Sequence, residues 1–379
     1  MARPVTIAAY VYPGFHPIPE RDASFHPGFT EWELVLGCAP RFPGHVQPRV
    51  PALGPYDDRN PTEVGRRIAL ARAHGVDAFV YGLFWCRGKR VFEDALDLGF
   101  LGSDEGRTAP FAVMWANRMP RRVLPVARAD AEIIDPSRLV SSDVDDFVAL
   151  VDLVGRTYMV RQNYVRVEGL PYLSIFDSTF FVRELGRTAA ADALRAAKAH
   201  AKRLGHPGLH VAAIDPAEEI LGEVREIGFD SVTHYVHLPY WKGPSIQDYA
   251  ETAERRSREW PELRRRSKLP YFPSVSPGWD ASPRGADFGP KRPDKYPWSP
   301  VIVGESPEAF EAALRRALVF ARDTEAPLVF VASLNEWSEG HYLEPDARFG
   351  VAFLEAVRRA RIGSVGSAEG DPPSRGERP

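Results

Sequence analysis

The chain has 379 residues, 44% of them hydrophobic and 26% charged, and a net charge of -3. These values are typical of a soluble globular protein with a large core, and they give no reason to expect a nucleic-acid or anionic-membrane partner. No apolar run reaches the ~18 residues that a membrane-spanning helix needs, and the N-terminus lacks a secretory signal. We therefore expect a cytoplasmic protein without membrane insertion. Cys38 and Cys86 are too few for a disulfide framework or a zinc site.

Apolar runs of the buried type alternate with segments of helical spacing along the chain. The predicted strands are 5–12, 76–85, 110–117, 170–177, 209–215, 231–236, 271–276 and 328–334. The predicted helices are 61–74, 91–98, 144–158, 189–204, 216–227, 247–266, 307–323 and 347–360, with a small extended piece at 164–167. Eight strand-then-helix units predict an α/β fold, a single (β/α)8 TIM barrel with long loops at the C-terminal face of the strands.

A doubly wound open sheet is the alternative architecture, but it usually carries a glycine-rich phosphate loop after its first strand. Residues 12–15 (YPGF) offer no such loop. We expect residues 1–362 to form one catalytic barrel. The polar tail 363–379, rich in Gly, Pro and Ser, is expected to be disordered.

The last predicted strand runs into the segment NEWSEG, residues 335–340. Glu336 and Glu339 are three residues apart, so in one extended strand their side chains would point to opposite faces. Both can face a cleft only if the chain turns after Glu336, and Gly340 favours such a turn. Two carboxyls, one protonated and one ionised, can cleave or form a glycosidic bond, with Trp337 as a stacking surface for the sugar. The alternative is a surface turn with two solvated glutamates.

Aromatic and polar residues recur at or just beyond the other predicted strand ends. Because active sites of (β/α)8 barrels form at these ends, we expect the residues to line one cleft. Indole rings suit the apolar faces of pyranose sugars, and carboxylates and amides suit their hydroxyls. The alternative is that the tryptophans simply cap a large core. The predicted substrate-binding residues are Tyr12, Glu31, Trp32, Trp85, Trp115, Asn117, Arg118, Tyr235, Trp279, Asp280, Asn335 and Trp337.

His234 and His237, with Asp215, could ligate a metal, but neither an HExxH pattern nor a thiolate accompanies them. We predict no metal and no other cofactor, and interpret the histidines as substrate-binding or structural groups. Two basic clusters, 118–128 and 255–268, could recognise phosphate or a nucleotide diphosphate. The second falls on a predicted helix, where a solvated face is the commoner interpretation.

Several segments, taken together, resemble one known family. They are AYVYPGFHPIPERD, GFTEW, GHVQPRVPALGPYD, HGVDAFVYGLFW, PFAVMWANR, VSPGWDASPR and SLNEWSEGHYLEPD. In this order, from about residue 7 to residue 357, they are similar to WbsX-like proteins, relatives of glycoside hydrolase family 99 found in bacterial polysaccharide gene clusters. The resemblance implies a (β/α)8 barrel that acts on glycans. Enzymes of family 99 proper are endo-acting α-mannosidases that retain the anomeric configuration.

The resemblance also implies roles for the paired acids, because the essential acids of family 99 lie three apart in an NEWxEG-like segment. Glu336 would be the base that helps the sugar 2-hydroxyl attack the anomeric carbon. Glu339 would protonate the leaving oxygen and then activate water. Arg118 departs from the pattern, since many WbsX-like proteins have an acid after WAN. The departure leaves the sugar unassigned and favours an anionic one.

Three functions are compatible with these observations. A retaining glycoside hydrolase without cofactor is the first, with a polysaccharide or oligosaccharide as substrate. A glycosyltransferase of surface polysaccharide assembly is the second, although such enzymes commonly use a DxD-like metal site or a diphosphate pocket in a Rossmann-type sheet. A non-catalytic glycan-binding barrel is the third, and the two glutamates count against it.

Overall fold

A ring of parallel strands forms the centre of the molecule. The computed structural model describes residues 4–117, 142–288 and 294–363, so Arg118, the first basic cluster (118–128) and the predicted tail from residue 364 lie outside the described residues. Within these ranges the ring strands are β1 Thr6–Val11, β2 Ala78–Cys86, β3 Phe111–Trp115, β4 Leu170–Ile175, β5 His210–Ile214, β6 Ser231–Thr233, β7 Ser274–Val275 and β8 Leu328–Val331.

Each ring strand pairs in parallel with its neighbours, and the order is β7-β8-β1-β2-β3-β4-β5-β6. In one register Ala8 of β1 lies between Phe330 of β8 and Ala78 of β2. The ring closes between β6 and the segment before β7 through a parallel bridge from Val232 to Tyr271. The predicted (β/α)8 barrel is therefore confirmed.

The barrel interior is filled by aromatic side chains rather than by solvent. Tyr10 of β1 stacks on Phe330 of β8 with ring centroids 5.0 Å apart, and Tyr172 of β4 approaches the same ring from across the barrel at 6.0 Å. All three residues are fully buried. Contacts between non-adjacent strands of this kind make the interior a packed core, so a ligand can enter only at an end.

Helices surround the ring and occupy the loops at its C-terminal face. The α-helices are α1 Pro19–Ser24, α2 Trp32–Gly37, α3 Pro61–Ala73, α4 Asp104–Thr108, α5 Val144–Thr157, α6 Ser178–Leu185, α7 Arg187–Arg203, α8 Glu218–Leu221, α9 Val224–Ile227, α10 Tyr249–Ser257, α11 Trp260–Ser267, α12 Pro307–Asp323 and α13 Ala352–Gly363. A π-helix spans Ala95–Phe100, and 3₁₀ segments span Ser282–Phe288 and Trp337–Glu339. None of the helices in the described ranges is long and apolar enough to cross a bilayer.

Local sequence explains where the long helices begin. Ser306 caps α12 by accepting a hydrogen bond from the backbone N–H of Ala309, and Pro307 fills the first helical position. Asn60 and Pro61 start α3 in the same way. These signals put the predicted helix starts at 61 and 307 where the structure has them.

The structure differs from the sequence-based expectation where turns break a pattern. The predicted helix 91–98 begins instead as a strand, Lys89–Val91, which pairs with the end of β2. A two-residue turn at Arg87 and Gly88 produces this hairpin, because both residues adopt positive φ. The predicted helix 216–227 is two short helices, α8 and α9. Four helices, α1, α2, α4 and α6, were not predicted.

The predicted helix 247–266 is also divided. Its first residues form a strand, Ile246–Asp248, that pairs with Val301–Val303. The remainder forms α10 and α11, and Pro261 near the start of α11 cannot donate the backbone hydrogen bond that one continuous helix would require. Short strands also occur at Arg166–Val167, within the predicted 164–167, and at Asn335–Glu336 and His341–Tyr342 beyond β8.

Candidate active site

The two glutamates lie in a tight hairpin beyond the end of β8. Asn335–Glu336 pairs antiparallel with His341–Tyr342, and a single 3₁₀ turn, Trp337–Glu339, connects the two pieces. Gly340 completes the turn with φ of +67°, and a Cβ at this position would lie 2.9 Å from the backbone N of Asp280. Glycine is thus needed both for its backbone conformation and for the close approach of the β7 loop. The turn expected after Glu336 is present.

One guanidinium lies between the two carboxylates. Arg284, from the segment after β7, places one terminal nitrogen 2.7 Å from Oε1 of Glu336 and the other 2.5 Å from Oε1 of Glu339. All three side chains are buried. The turn therefore brings both carboxylates to the same side of the hairpin, with the Arg284 guanidinium between them.

Each glutamate has further partners of its own. The Tyr235 hydroxyl donates to Oε2 of Glu336 over 2.9 Å. The Tyr296 hydroxyl donates to Oε1 of Glu339 over 2.8 Å, and the Nε2 atom of His341 lies 3.3 Å from its other oxygen. The Ser338 hydroxyl also donates to Oε1 of Glu336, over 3.5 Å, so the two carboxylates share Arg284 but differ in their other partners.

These unequal surroundings separate the acidities of the pair. Burial raises the pKa of Glu336 to about 8, because Arg284 only partly offsets the loss of water and Glu339 adds repulsion. Burial also opposes ionisation of Glu339, but Arg284 and the contacts from His341 and Tyr296 outweigh it and lower the pKa of Glu339 to about 2. The pKa values of the two carboxyls are therefore shifted in opposite directions.

The carboxylates face a cavity of about 120 Å³ at the C-terminal end of the barrel. Residues from the ends of β1, β2, β3, β4 and β6 form its wall, as barrel geometry requires of a site at this end. The wall is apolar except at the carboxylates, Arg284 and the tyrosine hydroxyls. The lining residues are Val11, Tyr12, Pro13, Gly82, Phe84, Met114, Ala116, Phe176, Tyr235, Arg284, Glu336 and Glu339.

A third carboxylate lies behind this wall. Glu31 is fully buried, accepts a hydrogen bond from the Tyr12 hydroxyl, and forms an ion pair with Arg21 at 2.5 Å. Its second oxygen is 3.6 Å from Arg284. The negative charge of Glu31 therefore contributes to the electrostatic field around the Arg284 guanidinium. Tyr12, in contrast, faces the cavity.

Two predicted residues tie strand ends together instead of lining the cavity. The Asn335 side chain bonds both the backbone N–H and the carbonyl of Tyr12, which joins the end of β8 to the end of β1. Asn117 does the same with the N–H and carbonyl of Asp177, across β3 and β4. Each amide satisfies a donor and an acceptor where the strand ladder stops.

The structure places Trp337 in the packing behind the site. Its ring is fully buried and stacks on Tyr342 at 3.7 Å between centroids, and its indole N–H donates to Glu344 over 2.7 Å. Trp32 packs against it at 5.9 Å. With these neighbours Trp337 presents no stacking surface to the cavity, which differs from the expectation. The reason is the hairpin, which brings Tyr342 back over the indole.

The other predicted tryptophans are also buried and hydrogen-bonded within the protein. Trp115 donates to the carbonyl of Trp85, and Trp85 donates to Asp146. Trp279 donates to the carbonyl of Pro300. The aromatic part of the cavity wall consists instead of phenylalanine and tyrosine side chains.

Asp280 is likewise held by the protein itself. His45 contacts its Oδ2 atom at 2.8 Å, and Gln47 donates to the same atom over 2.6 Å. Ser282 donates to the other oxygen through its backbone N–H. Burial opposes the charge of Asp280, but His45 and Arg49 outweigh it and lower the pKa below its ordinary value. The carboxylate fixes the start of the segment that carries Arg284.

The histidines after β6 have partners within the protein. His234 contacts the Tyr271 hydroxyl at 2.8 Å, and His237 lies 3.3 Å from Glu259. Burial lowers the pKa of both histidines. In the part of the chain that the structure describes, no group of three or more His, Cys, Asp or Glu side chains is placed to hold a metal ion.

Sequence reasoning missed four residues that contact the glutamates: Arg284, Tyr296, Ser338 and His341. Arg284 belongs to the segment VSPGWDASPR and His341 to SLNEWSEGHYLEPD, so both were within reach of the family resemblance. Tyr296 carries no comparable signal, because only the fold shows that its loop reaches the cavity.

The fold is shared with solved structures of other proteins. The chain resembles the structure of the GH99 endo-alpha-mannosidase from Bacteroides thetaiotaomicron with a TM-score of 0.62 and 15% identity, over 96% of this chain and 98% of that one. It also resembles a glycoside hydrolase-like protein, with a TM-score of 0.59 and 16% identity over 94% of each chain. These similarities show that the chain shares the (β/α)8 fold of both structures.

The particular family follows from the sequence. Residues 7–357 match the family described as Glycosyltransferase WbsX, and the chain belongs to that family. A relative in Xanthomonas campestris pv. campestris, uncharacterized protein WxcX, is 34% identical over an alignment of 377 positions, which covers 94% of this chain and 50% of the relative. The chain spans about half the length of the curated relatives it matches.

Proposed function

We propose that this protein is a retaining glycoside hydrolase that cleaves a bond within a polysaccharide or oligosaccharide, with Glu336 and Glu339 as its two catalytic acids. The observation that carries the proposal is the convergence of both carboxylates on one cavity with apolar walls. Their opposite protonation states are what glycosidic cleavage requires of an acid and a base. The absence of any cofactor requirement is part of the proposal.

In the proposed reaction the sugar 2-hydroxyl is the nucleophile. Glu336 accepts its proton while its oxygen attacks the anomeric carbon, and Glu339 donates a proton to the leaving oxygen. Water then gives its proton to Glu339 and attacks the same carbon, and Glu336 returns its proton to the 2-oxygen. Two inversions at one carbon retain its configuration.

The pKa shifts of the free site are opposite to the protonation states with which this reaction starts. Glu336 must be ionised and Glu339 protonated, whereas burial raises the pKa of Glu336, and Arg284, His341 and Tyr296 together lower the pKa of Glu339. We infer that glycan binding moves the guanidinium away from Oε1 of Glu339. One proton then has to pass from Glu336 to Glu339, and the pair is ready for reaction.

Glu339→Gln tests the acid role, because the need for an acid depends on the leaving group. We expect kcat/KM for a glycan with a sugar leaving group to fall about a thousandfold. For an aryl glycoside with a nitrophenol leaving group, kcat/KM reports bond cleavage before water attacks, and it should fall about tenfold or less, since nitrophenolate leaves without protonation. A screen of aryl glycosides and bacterial polysaccharides, read by product chromatography, supplies both substrates. Equal losses on both substrates would contradict the role.

A glycosyltransferase of surface polysaccharide synthesis is the second candidate, favoured by the description of the family. Of the basic clusters, the one on α11 is engaged in surface ion pairs, such as Arg265 with Glu262 and Arg266 with Glu218. This fits the solvated-face interpretation rather than a diphosphate pocket. Saturable calorimetric binding of UDP- or GDP-sugars, with no cleavage of any glycan in the screen, would support the transferase and overturn the hydrolase.

A further inference from the structure

An exposed aromatic ridge adjoins the glutamate pair on the side of Glu339. Trp241 is 53% exposed and Tyr296 is 36% exposed, and both flank the buried ring of Trp279. Centroid distances from Trp279 are 5.4 Å to Trp241 and 6.5 Å to Tyr296. We call Trp241, Trp279 and Tyr296 the aromatic ridge.

The ridge is continuous with the catalytic centre. The Tyr296 hydroxyl donates to Oε1 of Glu339. Trp279 stacks on the ring of His341 at 5.6 Å with an angle of 13° between planes, and His341 contacts the other oxygen of Glu339. Two side-chain paths, which divide at Trp279, therefore connect the exposed indole of Trp241 with the same carboxylate. A surface tryptophan unrelated to the site would not be connected to Glu339 through such contacts.

The exposed indole is carried on a fixed turn. The N–H of Gly243 donates to the carbonyl of Tyr240 and closes the turn that presents Trp241. Gln247, which is buried, bonds both the N–H and the carbonyl of Tyr240, and the guanidinium of Arg255 lies 3.6 Å above the Tyr240 ring. A rigid exposed ring loses little conformational entropy on binding a flat apolar surface.

We propose that the aromatic ridge is the binding site for the leaving-group part of the glycan, so the substrate continues with at least one more sugar beyond the bond that is cleaved. The inference rests on the proposed function, because it uses the role of Glu339 as the acid beside the leaving oxygen. A pyranose leaving group presents an apolar face, and the indole of Trp241 is the exposed surface that can stack on it. A small aryl leaving group would end before reaching Trp241.

Trp241→Ala tests the ridge without touching the glutamates. We expect kcat/KM for a glycan of three or more sugars, taken from the screen, to fall about tenfold, mainly through KM, since stacking on one aromatic face contributes about that factor. Hydrolysis of the aryl glycoside should stay unchanged. Trp241→Phe, which keeps a flat ring, should recover most of the loss. Val160→Ala, at an exposed position before β4 and so at the opposite end of the barrel, is the matched control.

A binding measurement separates failure of this inference from failure of the proposed function. The probe is an array of microbial glycans from one to six sugars, bound to the Glu339→Gln protein with and without Trp241→Ala. Tighter binding of the longer members that disappears with Trp241→Ala supports the ridge. Equal binding of the longer members with and without Trp241 overturns the ridge alone. If the array binds neither protein and the screen yields no cleavage, the hydrolase proposal fails as well.

Discussion

The pair Glu336 and Glu339 and the single Glu344 are all buried carboxylates near an arginine beyond β8, but the open space beside them differs. Glu336 and Glu339 share Arg284 and face a cavity of about 120 Å³. Glu344, five residues after Glu339, is also buried near an arginine, with Arg67 at 3.5 Å. The space beside Glu344 is about 10 Å³, at the lower limit for a single water molecule.

A raised pKa does not distinguish the two groups, because each contains a carboxyl whose pKa is raised. Burial raises the pKa of Glu344 to about 7, because Arg67 offsets only part of the loss of water. The pKa of Glu336 is raised for the same reason. However, the partners of Glu344 are the indole N–H of Trp337 at 2.7 Å and the Tyr56 hydroxyl at 2.9 Å, both parts of the packing. A shifted pKa therefore marks a buried acid, and only open space beside it makes the acid available to a substrate.

The largest contrast is expected between Glu336→Gln and Glu344→Gln in glycan cleavage. Glu336→Gln removes the proposed base, so turnover should fall about a thousandfold on aryl glycosides and longer glycans alike. Glu344→Gln should lower turnover by less than about tenfold, since Glu344 has no access to the cavity. Initial rates at saturating substrate measure both, with circular dichroism as a check of folding. Comparable losses in the two variants would remove the distinction between the sites.

Arg284→Met should produce the next largest effect and should move the pH profile. The guanidinium lowers the pKa of both glutamates, so its removal raises both values. Both limbs of the pH dependence of kcat/KM should therefore shift to higher pH, and the rate at neutral pH should fall about a hundredfold. Arg284→Lys, which keeps a charge but not the bidentate fork, should give a smaller shift. A profile that loses height without moving along the pH axis would show that Arg284 acts only in packing.

The sequence was sufficient for the barrel and for the pair of acids, and the reasons are local. Eight buried runs alternating with helical spacing determine the architecture, because parallel strands require crossovers. The spacing of Glu336 and Glu339 with Gly340 predicted a turn, and a turn of this kind depends on adjacent residues alone.

The same reasoning could not place residues whose position depends on tertiary packing. A strand end lies at the rim, but whether its side chain faces the cavity depends on the loop that follows. Trp337 is the clearest case, since Tyr342 returns through the hairpin and covers it. Arg284 is the reverse case, because it is 52 residues away from Glu336 in sequence and only the fold brings the two together.

The smallest expected effect concerns stability and tests whether Glu344 is only structural. In the native protein Glu344 binds its proton more tightly than in the unfolded chain, so its contribution to stability is complete below pH 4.5 and is lost as pH rises to about 7. Glu344→Gln cannot titrate. The difference in unfolding free energy between pH 5 and pH 7 should therefore shrink by about 2 kcal/mol. Urea denaturation at the two values measures it, with Glu184→Gln on the exposed face of α6 as control.

The pH-dependent slope should decrease in Glu344→Gln without disappearing. Glu336 keeps a raised pKa of about 8, and its contribution continues to fall over the same range and up to that value. The double variant Glu336→Gln/Glu344→Gln should lose a further part of the slope, because the two carboxyls have no partner in common and their effects should add. Asp215, whose pKa burial raises to about 8, keeps its own part of the slope in both variants. A slope in Glu344→Gln equal to that of the native chain would mean that Glu344 is ionised in both states, and that the hydrogen bonds from Trp337 and Tyr56 are enough to hold its charge in the core.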